Sequence, residues 1–254
     1  MRIEAAGSTH VGMKRSRNED SFLVFEEERL FVVADGMGGH VSGEIASSLA
    51  VAEMEAFFRL SGRDRELTWP FKMEPDRNYE ENRLATAIKQ ANARIVSQSR
   101  TDPRCKGMGT TVAALHLADG AAYIAWAGDS RVYRLRDGEL LQLSEDHSLL
   151  NDLIKANKLS PEEVEHFPHK NVIVRALGIQ DALPVDVIRD APRPDDLYLL
   201  CSDGLSGLVS DGEIAAILGQ VGDDRTAVDA LIESANAAGG NDNITVVLVR
   251  CRAA

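Results

Sequence analysis

Five aspartates lie at the edges of apolar runs, four of them beside glycine or asparagine, and of all the side chains in the sequence these are the best placed to do chemistry. Asp35 ends the run "LFVVAD" and opens "GMGG", and Asp203 ends "LYLLCSD" and opens "GLSG". Asp129 stands in "AWAGDSRVY", Asp242 in "GGNDNITVVLV" and Asp20 in "RNEDSFLVF". Two carboxylates ~4 Å apart repel by about 4 kcal/mol at an effective dielectric near 20. Three in one cleft would be destabilised by on the order of 10 kcal/mol unless protonated or neutralised by cations. Oxygen ligands without His or Cys partners select hard ions, Mg2+ or Mn2+, over zinc. Glycine beside such a ligand lets a backbone carbonyl coordinate as well, and a water shared between two ions becomes a nucleophile at neutral pH. Each Asp taken alone reads equally well as a helix N-cap or Asx-turn residue. Five in one kind of environment weaken that reading, although spacing alone does not show that they meet in space.

The chain carries its own control for the turn reading, because Asp-Gly occurs five times. Asp119-Gly120 and Asp137-Gly138 join strand-like runs on both sides and read as hairpin turns. Asp211-Gly212 opens a helical pattern. Asp35-Gly36 and Asp203-Gly204 each follow an apolar run and lead into a glycine-containing turn instead of a second strand. Near the N-terminus, "GMKRSRNED" places Lys14, Arg15 and Arg17 just ahead of Asp20. A guanidinium grips two phosphate oxygens in a planar fork, which a lysine cannot reproduce. The competing reading is a surface basic patch paired with Glu19 and Asp20.

The elements that must position these groups follow from periodicity. "SFLVF" and "LFVVAD" read as strands around a turn at "EEER", after an opening strand. Residues 43–60 and 79–100 have helical spacing, with Leu84, Ile88, Ala91 and Ile95 in the second. From Thr110 four apolar or alternating runs form a meander. A polar helix is expected over Ser148 to Glu165, then strands at "LPVDVI" and "DDLYLLCSDG", two helices, and a closing strand "NITVVLVRC". No long linker interrupts the 254 residues, so one α+β domain is expected.

Composition excludes several classes. The formal net charge of −12 makes non-specific nucleic-acid binding a poor prospect. No apolar run approaches the roughly 18 residues that span a bilayer, and "MRIEAAGSTH" has no secretory h-region, so a soluble cytoplasmic protein without membrane contact is expected. Cys105, Cys201 and Cys251 are scattered, with neither a disulfide framework nor a zinc spacing, and the last two lie in apolar runs that look like core.

The ordered set "GMKRSRNEDS", "VVADGMGGH", "GMGTTVAAL", "AGDSRVYRL", "DHSLL", "RALG", "CSDGLSG" and "NDNIT" resembles the metal-dependent type 2C protein serine/threonine phosphatases, in their compact bacterial form. The resemblance runs from about Thr9 to Val249. It implies a four-layer α-β-β-α sandwich of two central antiparallel sheets, with two divalent metals in a cleft at one end. By motif, Asp35 would bridge the two metals and the Gly36 carbonyl would bind the second. Asp203 and Asp242 would complete the first, and Asp20 would order its waters. Asp129, with Asp203, would form a third, weaker site. Arg15 aligns with the phosphate-binding arginine and Arg17 does not. Residues 148–175 would be a mobile flap that helps select phosphoprotein substrates.

The resemblance further implies in-line attack on phosphorus by a metal-bridging water or hydroxide. No phosphoenzyme is expected, since no activated Cys, Ser or His nucleophile is evident. Eukaryotic members carry a His after the metal-binding Asp-Gly; here that place is Met37, so the leaving seryl oxygen needs a proton from a metal-bound water or from His40. His147 reads as structural, because its neighbours look like a buried strand end. Phosphorylated proteins are the expected partners, with a cognate Ser/Thr kinase among them, and the chain is expected to act as a monomer. A catalytically silent phosphoprotein-binding member is the alternative, but it would be marked by lost ligands, and Asp35, Asp203 and Asp242 are all present. A metal-dependent nuclease fits the acidic balance poorly.

Overall fold

Alternation along the strand Leu30–Met37 (β3) sets the architecture. Leu30, Val32 and Ala34 pack against helices on one face, while Phe31 and Val33 pack against a second sheet on the other. Successive side chains of a strand point to opposite faces, so a strand apolar at every position must be covered on both. The computed structural model describes residues 1–38, 42–64, 67–159, 163–164, 167–168 and 172–253. One sheet runs β2 (Asp20–Phe25), β3, β5 (Val112–Ala118), β6 (Ala121–Ala127), β9 (Asp186–Asp190), with the two-residue β4 (Gly109–Thr110) also paired to β3. The other runs β1 (Arg2–His10), β11 (Ile244–Arg252), β10 (Leu197–Cys201), β7 (Arg131–Arg136), β8 (Glu139–Gln142). Every pairing is antiparallel.

Helices α1 (Ser42–Arg63) and α2 (Tyr79–Thr101) cover the first sheet with Ala46, Ala50, Met54 and Phe58, and with Leu84, Ile88, Ala91 and Ile95. Spacings of three and four keep each set on one helical face. A capping box at Asn78 and Glu81 satisfies the first amides of α2. After α3 (Leu149–Lys155) and the four-residue α4 (Asp203–Ser206), helices α5 (Asp211–Gln220) and α6 (Asp224–Ala237) cover the second sheet. Ile214, Leu218, Val228 and Leu231 meet Leu199, Val246 and Leu248 there. Each such side chain, fully buried, contributes about 1.5–3 kcal/mol. The result is the expected four-layer α-β-β-α sandwich. Among the described residues no helix is long and apolar enough to cross a membrane.

Asp119 and Gly120 (φ 50° and 75°) and Asp137 and Gly138 (φ 52° and 82°) make the two hairpin turns with the left-handed pairs that match strand twist. The helix expected over Ser148 to Glu165 is shorter. Ser148 caps α3, and Asn157, at φ 51°, stops it with Lys158 N–H donating to the Leu153 carbonyl at 2.9 Å. Strand β3 also runs two residues past Asp35, because Gly36 and Met37 pair with β4.

Strand direction brings chemistry to one end. The C-terminal ends of β3, β6 and β10 and the N-terminal ends of β2, β7 and β11 share one rim, since Asp20 pairs with Asp35, Val112 with Ala127, and Cys201 with both Arg131 and Val246. The β6–β7 turn, residues 128–130, steps from one sheet to the other at that rim.

Candidate metal centre

Asp20 stands directly opposite Asp35 in the β2–β3 ladder, a like-charge pair that costs stability unless something neutralises it. The Asp35 backbone is fixed by the two threonines of "GMGTT". Its amide donates to Thr111 Oγ1 at 3.0 Å, and its carbonyl accepts Thr111 N–H at 2.8 Å and Thr110 Oγ1–H at 2.9 Å. Asp20 is held from the opposite sheet, where its Oδ2 accepts the hydroxyls of Ser202 at 2.8 Å and Thr245 at 2.6 Å. Its other oxygen, Oδ1, is buried without a partner.

Asp203 follows β10 and Asp242 precedes β11, neighbouring strands, so both acids fall at the same rim. The glycines beside the acids have a steric reason. A Cβ on Gly36 would lie 2.4 Å from the Glu19 carbonyl oxygen, and one on Gly204 would lie 1.9 Å from that of Asn243. Each Asp-Gly pair therefore presses its own strand end against the loop carrying another acid, Asp20 in one case and Asp242 in the other. Asn243 fastens this junction. It accepts Glu19 N–H at 2.8 Å and donates to the carbonyls of Val11 and Arg17, both at 2.9 Å.

Asp129, 8% exposed, lies in the turn between the sheets. Asp129, Asp203 and Asp242 share a cleft of about 330 Å³ with Arg131, Asp146 and Ser148. Arg131 forks onto Asp146, with Nε–Oδ1 at 2.9 Å and Nη2–Oδ2 at 2.7 Å. Arg15 reaches across from the loop after β1 to Asp242 Oδ2 at 2.6 Å.

Electrostatics records the crowding. Burial pushes the Asp20 carboxyl up to about 6, with Asp203 and Asp242 adding to it against the hydrogen bonds from Thr245 and Ser202. Burial, then Asp203 and Asp146, pushes Asp129 up to about 7. Asp35 stands well above the ordinary carboxylate range through burial and then the fields of Asp20, Asp203, Asp129 and Asp242. Asp203 is raised by burial and Asp242, and lowered by a hydrogen bond with Asp35. Desolvation and like charge penalise the ionised form, and a bound cation removes that penalty.

Oδ1 atoms of Asp20, Asp129 and Asp203 are all buried and partnerless. Carboxylate oxygens left in this state need a proton or a cation. The donors are oxygen-only, which suits Mg2+ or Mn2+. Among the described residues no three His, Cys, Asp or Glu side chains close a compact shell by themselves. Hard divalent ions keep several waters and need only one or two carboxylates each, so the open arrangement fits them.

Five of the acids singled out in the sequence thus lie at one rim, with Arg15 beside them, while His40 lies outside the described residues. Ser202, Thr245, Thr111 and Asn243 were not anticipated as parts of the site. Their signal was position, since each adjoins a motif acid or stands within a quoted motif. The three cysteines are buried, and burial drives the Cys201 thiol up to about 12, so no thiolate nucleophile is available there.

Residues 6–238 match the model of the family described as protein phosphatase 2C. The chain is 38% identical over 250 residues to the serine/threonine phosphatase stp of Listeria monocytogenes, covering 97% of this chain and 95% of that protein. Its fold is similar to the crystal structure of the Mycobacterium tuberculosis serine/threonine phosphatase PstP/Ppp, with a TM-score of 0.86 and 35% identity over 99% of each chain. A structure of the PstP catalytic domain in complex with two manganese ions is similar at a TM-score of 0.81, with 35% identity over 99% of each chain. With the family match spanning most of its length, the chain belongs to the protein phosphatase 2C family.

Proposed function

We propose that this chain is a metal-dependent protein serine/threonine phosphatase acting on phosphoserine and phosphothreonine. The observation that carries the reading is the meeting of five aspartates from both sheets at one rim, three of them with a buried, partnerless oxygen. Asp35 and the Gly36 carbonyl, with Asp203 and Asp242, would hold two divalent ions, Asp20 would order the surrounding waters, and Asp129 with Asp203 would hold a third. When bound, such ions neutralise phosphoryl oxygens and acidify water.

The chain's own groups do the rest. Arg15 offers a planar fork to the phosphate from the rim of the cleft. Ser202 and Thr245 fix the Asp20 carboxylate so that its free oxygen stays where the site needs it. Thr110 and Thr111 fix the backbone at Asp35, which sets the Gly36 carbonyl that follows. Burial pushes the Cys201 thiol up to about 12 and the Cys251 thiol up to about 11, so neither offers a thiolate for a phosphoenzyme, in keeping with direct hydrolysis. The leaving seryl oxygen would take its proton either from a water held in the site or from His40, which lies outside the described residues. We further propose one phosphatase domain over 1–254 whose 148–175 segment borders the cleft as a flap. It would act as a cytoplasmic monomer on phosphorylated proteins, a cognate Ser/Thr kinase among them.

The test is phosphate release from a phosphothreonine peptide with Mn2+, with EDTA, and with Asp203→Asn. Release in Mn2+ that is lost with EDTA and with the substitution is expected. Release that survives EDTA would sink the metal-dependent reading. No release from folded, manganese-bound protein would favour a silent phosphoprotein-binding member.

A further inference from the structure

His147 lies at the root of the 148–175 segment, outside the set of acids, yet it is bonded on every side. Its side chain is only 9% exposed. Its amide donates to the Gly128 carbonyl at 2.9 Å and its own carbonyl accepts Val174 N–H at 2.9 Å. Its ring Nδ1 stands 3.1 Å from the Gly128 amide, which can only donate, so Nδ1 is an unprotonated acceptor. The ring proton is then on Nε2, which donates to Asp186 Oδ2 at 2.7 Å. Arg175 Nη1 donates to the same oxygen at 2.5 Å, anchoring that carboxylate from the far end of the segment, and also stands 3.1 Å from Nε2 itself, so Asp186 alone is the acceptor that sets the tautomer. Trp126 stacks on the ring, with centroids 6.1 Å apart and planes 14° from parallel, and its Nε1–H is tied to the Glu145 carbonyl at 2.7 Å.

Gly128 immediately precedes Asp129. It sits at φ +119°, and a Cβ there would lie 2.6 Å from the Thr111 side chain. The turn is thus pinned on one side by Thr111, whose hydroxyl lies 2.6 Å from Ser130 Oγ, and on the other by His147. The two ends of the segment are zipped together at the same place, since Leu149 N–H donates to the Val172 carbonyl at 2.8 Å.

We infer that His147 is a positioning residue for Asp129: its Nδ1 lone pair holds the Gly128–Asp129 turn in place, while Asp186, itself anchored by Arg175, fixes the tautomer that makes this bond. The device joins the metal side of the cleft to the roots of the 148–175 segment through one imidazole. Its consequence for metal binding rests on the proposed role of Asp129. Burial, and then the Arg175 charge, keep the imidazole below its ordinary range against the pull of Asp186, which agrees with a neutral ring.

Two substitutions separate the ring's two contacts. His147→Asn places an amide oxygen near the position of Nδ1 and gives up the Asp186 contact, whereas His147→Gln reaches toward Asp186 and gives up the Gly128 acceptor. The readouts are amide hydrogen exchange at Gly128 in the metal-free protein and Mn2+ titration calorimetry. With His147→Gln, exchange at Gly128 is expected to quicken by roughly tenfold or more, and the weakest Mn2+ binding event to weaken by about 10- to 100-fold, as when a metal ligand's outer partner is lost. The tighter Mn2+ events stay within about twofold. With His147→Asn both values stay near those of the parent. Asp186→Asn, at a half-exposed position, serves as the second variant if His147→Gln does not fold: an amide there no longer enforces the Nε2–H tautomer, so exchange at Gly128 should quicken, and unchanged exchange would overturn the inference. Unchanged Gly128 exchange in His147→Gln, or equal losses in the Asn and Gln variants, would overturn the inference. If the parent binds no manganese, the metal reading and the metal consequence fall together, while Gly128 exchange still decides whether His147 holds the turn.

Discussion

Arg15 is the guanidinium that faces the acids with its charge still accessible, since its side chain is half exposed while Arg131 is forked onto Asp146. Its bond to Asp242 shows that it reaches the cleft from a loop that is far away in sequence. If it holds phosphate, Arg15→Ala removes charge-assisted hydrogen bonds worth about 1.5–3 kcal/mol each. The expected outcome is a kcat/KM lower by about 10- to 100-fold on a phosphopeptide, carried mainly by KM. Arg15→Lys should recover only part of this, because a point charge cannot fork. Mn2+ affinity should not weaken in either variant, since both remove or soften a competitor for Asp242. An unchanged KM in Arg15→Ala would remove this residue from the phosphate site.

At the scale of elements, the junctions between strand ends carry the site. Gly204, second residue of α4, has the Asn243 carbonyl where a Cβ would stand, whereas Gly212, second residue of α5, has nothing within 4 Å of that position. Gly204→Ala should therefore force the Asp203 and Asp242 strand ends apart. An overpacking cost of about 1–3 kcal/mol or more is expected, together with weaker Mn2+ binding. Gly212→Ala should be neutral or stabilising by up to about 1 kcal/mol, as at an exposed helical position. Urea denaturation of both variants, with and without Mn2+, checks the pair. Equal effects would mean that the close approach at Gly204 does not hold the rim together. The same scale shows where periodicity misled. The polar run after Ser148 keeps helical composition well beyond Lys155, but a left-handed Asn157 ends α3 there, and the "ANKLSP" stretch carried that signal in Asn157 and Pro161.

For the whole molecule, stability without metal should run against the usual acid trend. Asp20 and Asp129 sit at about 6 and about 7, with Asp35 and Asp203 also raised, against an ordinary value near 3.8. A group raised on folding favours the folded state fully below its unfolded value and loses that contribution as pH rises through its folded value. In EDTA the melting temperature should therefore climb as pH falls from 8 to 5. Mn2+ competes with those protons, so its stabilisation should grow with pH over the same window, reaching about 2.7 kcal/mol at a free concentration a hundredfold above Kd. Thermal melts at pH 5, 6, 7 and 8, with EDTA and with Mn2+, test both signs. A metal-free melting temperature that falls steadily below pH 8 would show that the clustered acids do not titrate as a buried group.

Much of this protein was settled by local pattern. Continuous apolar runs such as Leu30 to Ala34 and period-3.6 runs such as Leu84 to Ile95 determine strands and helices, because burial acts on nearest neighbours along the chain. The oxygen-only donor chemistry was also legible, since side-chain type alone selects hard ions. Their convergence was not legible, because register and packing decide it. Asp20 and Asp35 face each other only through the β2–β3 ladder, and Ser202 and Thr245 reach Asp20 only because the second sheet lies against the first. The same holds for Asn243, which clamps a loop more than 200 positions away in sequence, and for the His147 bond to Gly128. Hydrogen bonds between groups so far apart along the chain leave no periodic trace, so only the folded arrangement of both sheets decides which oxygens stay free to bind.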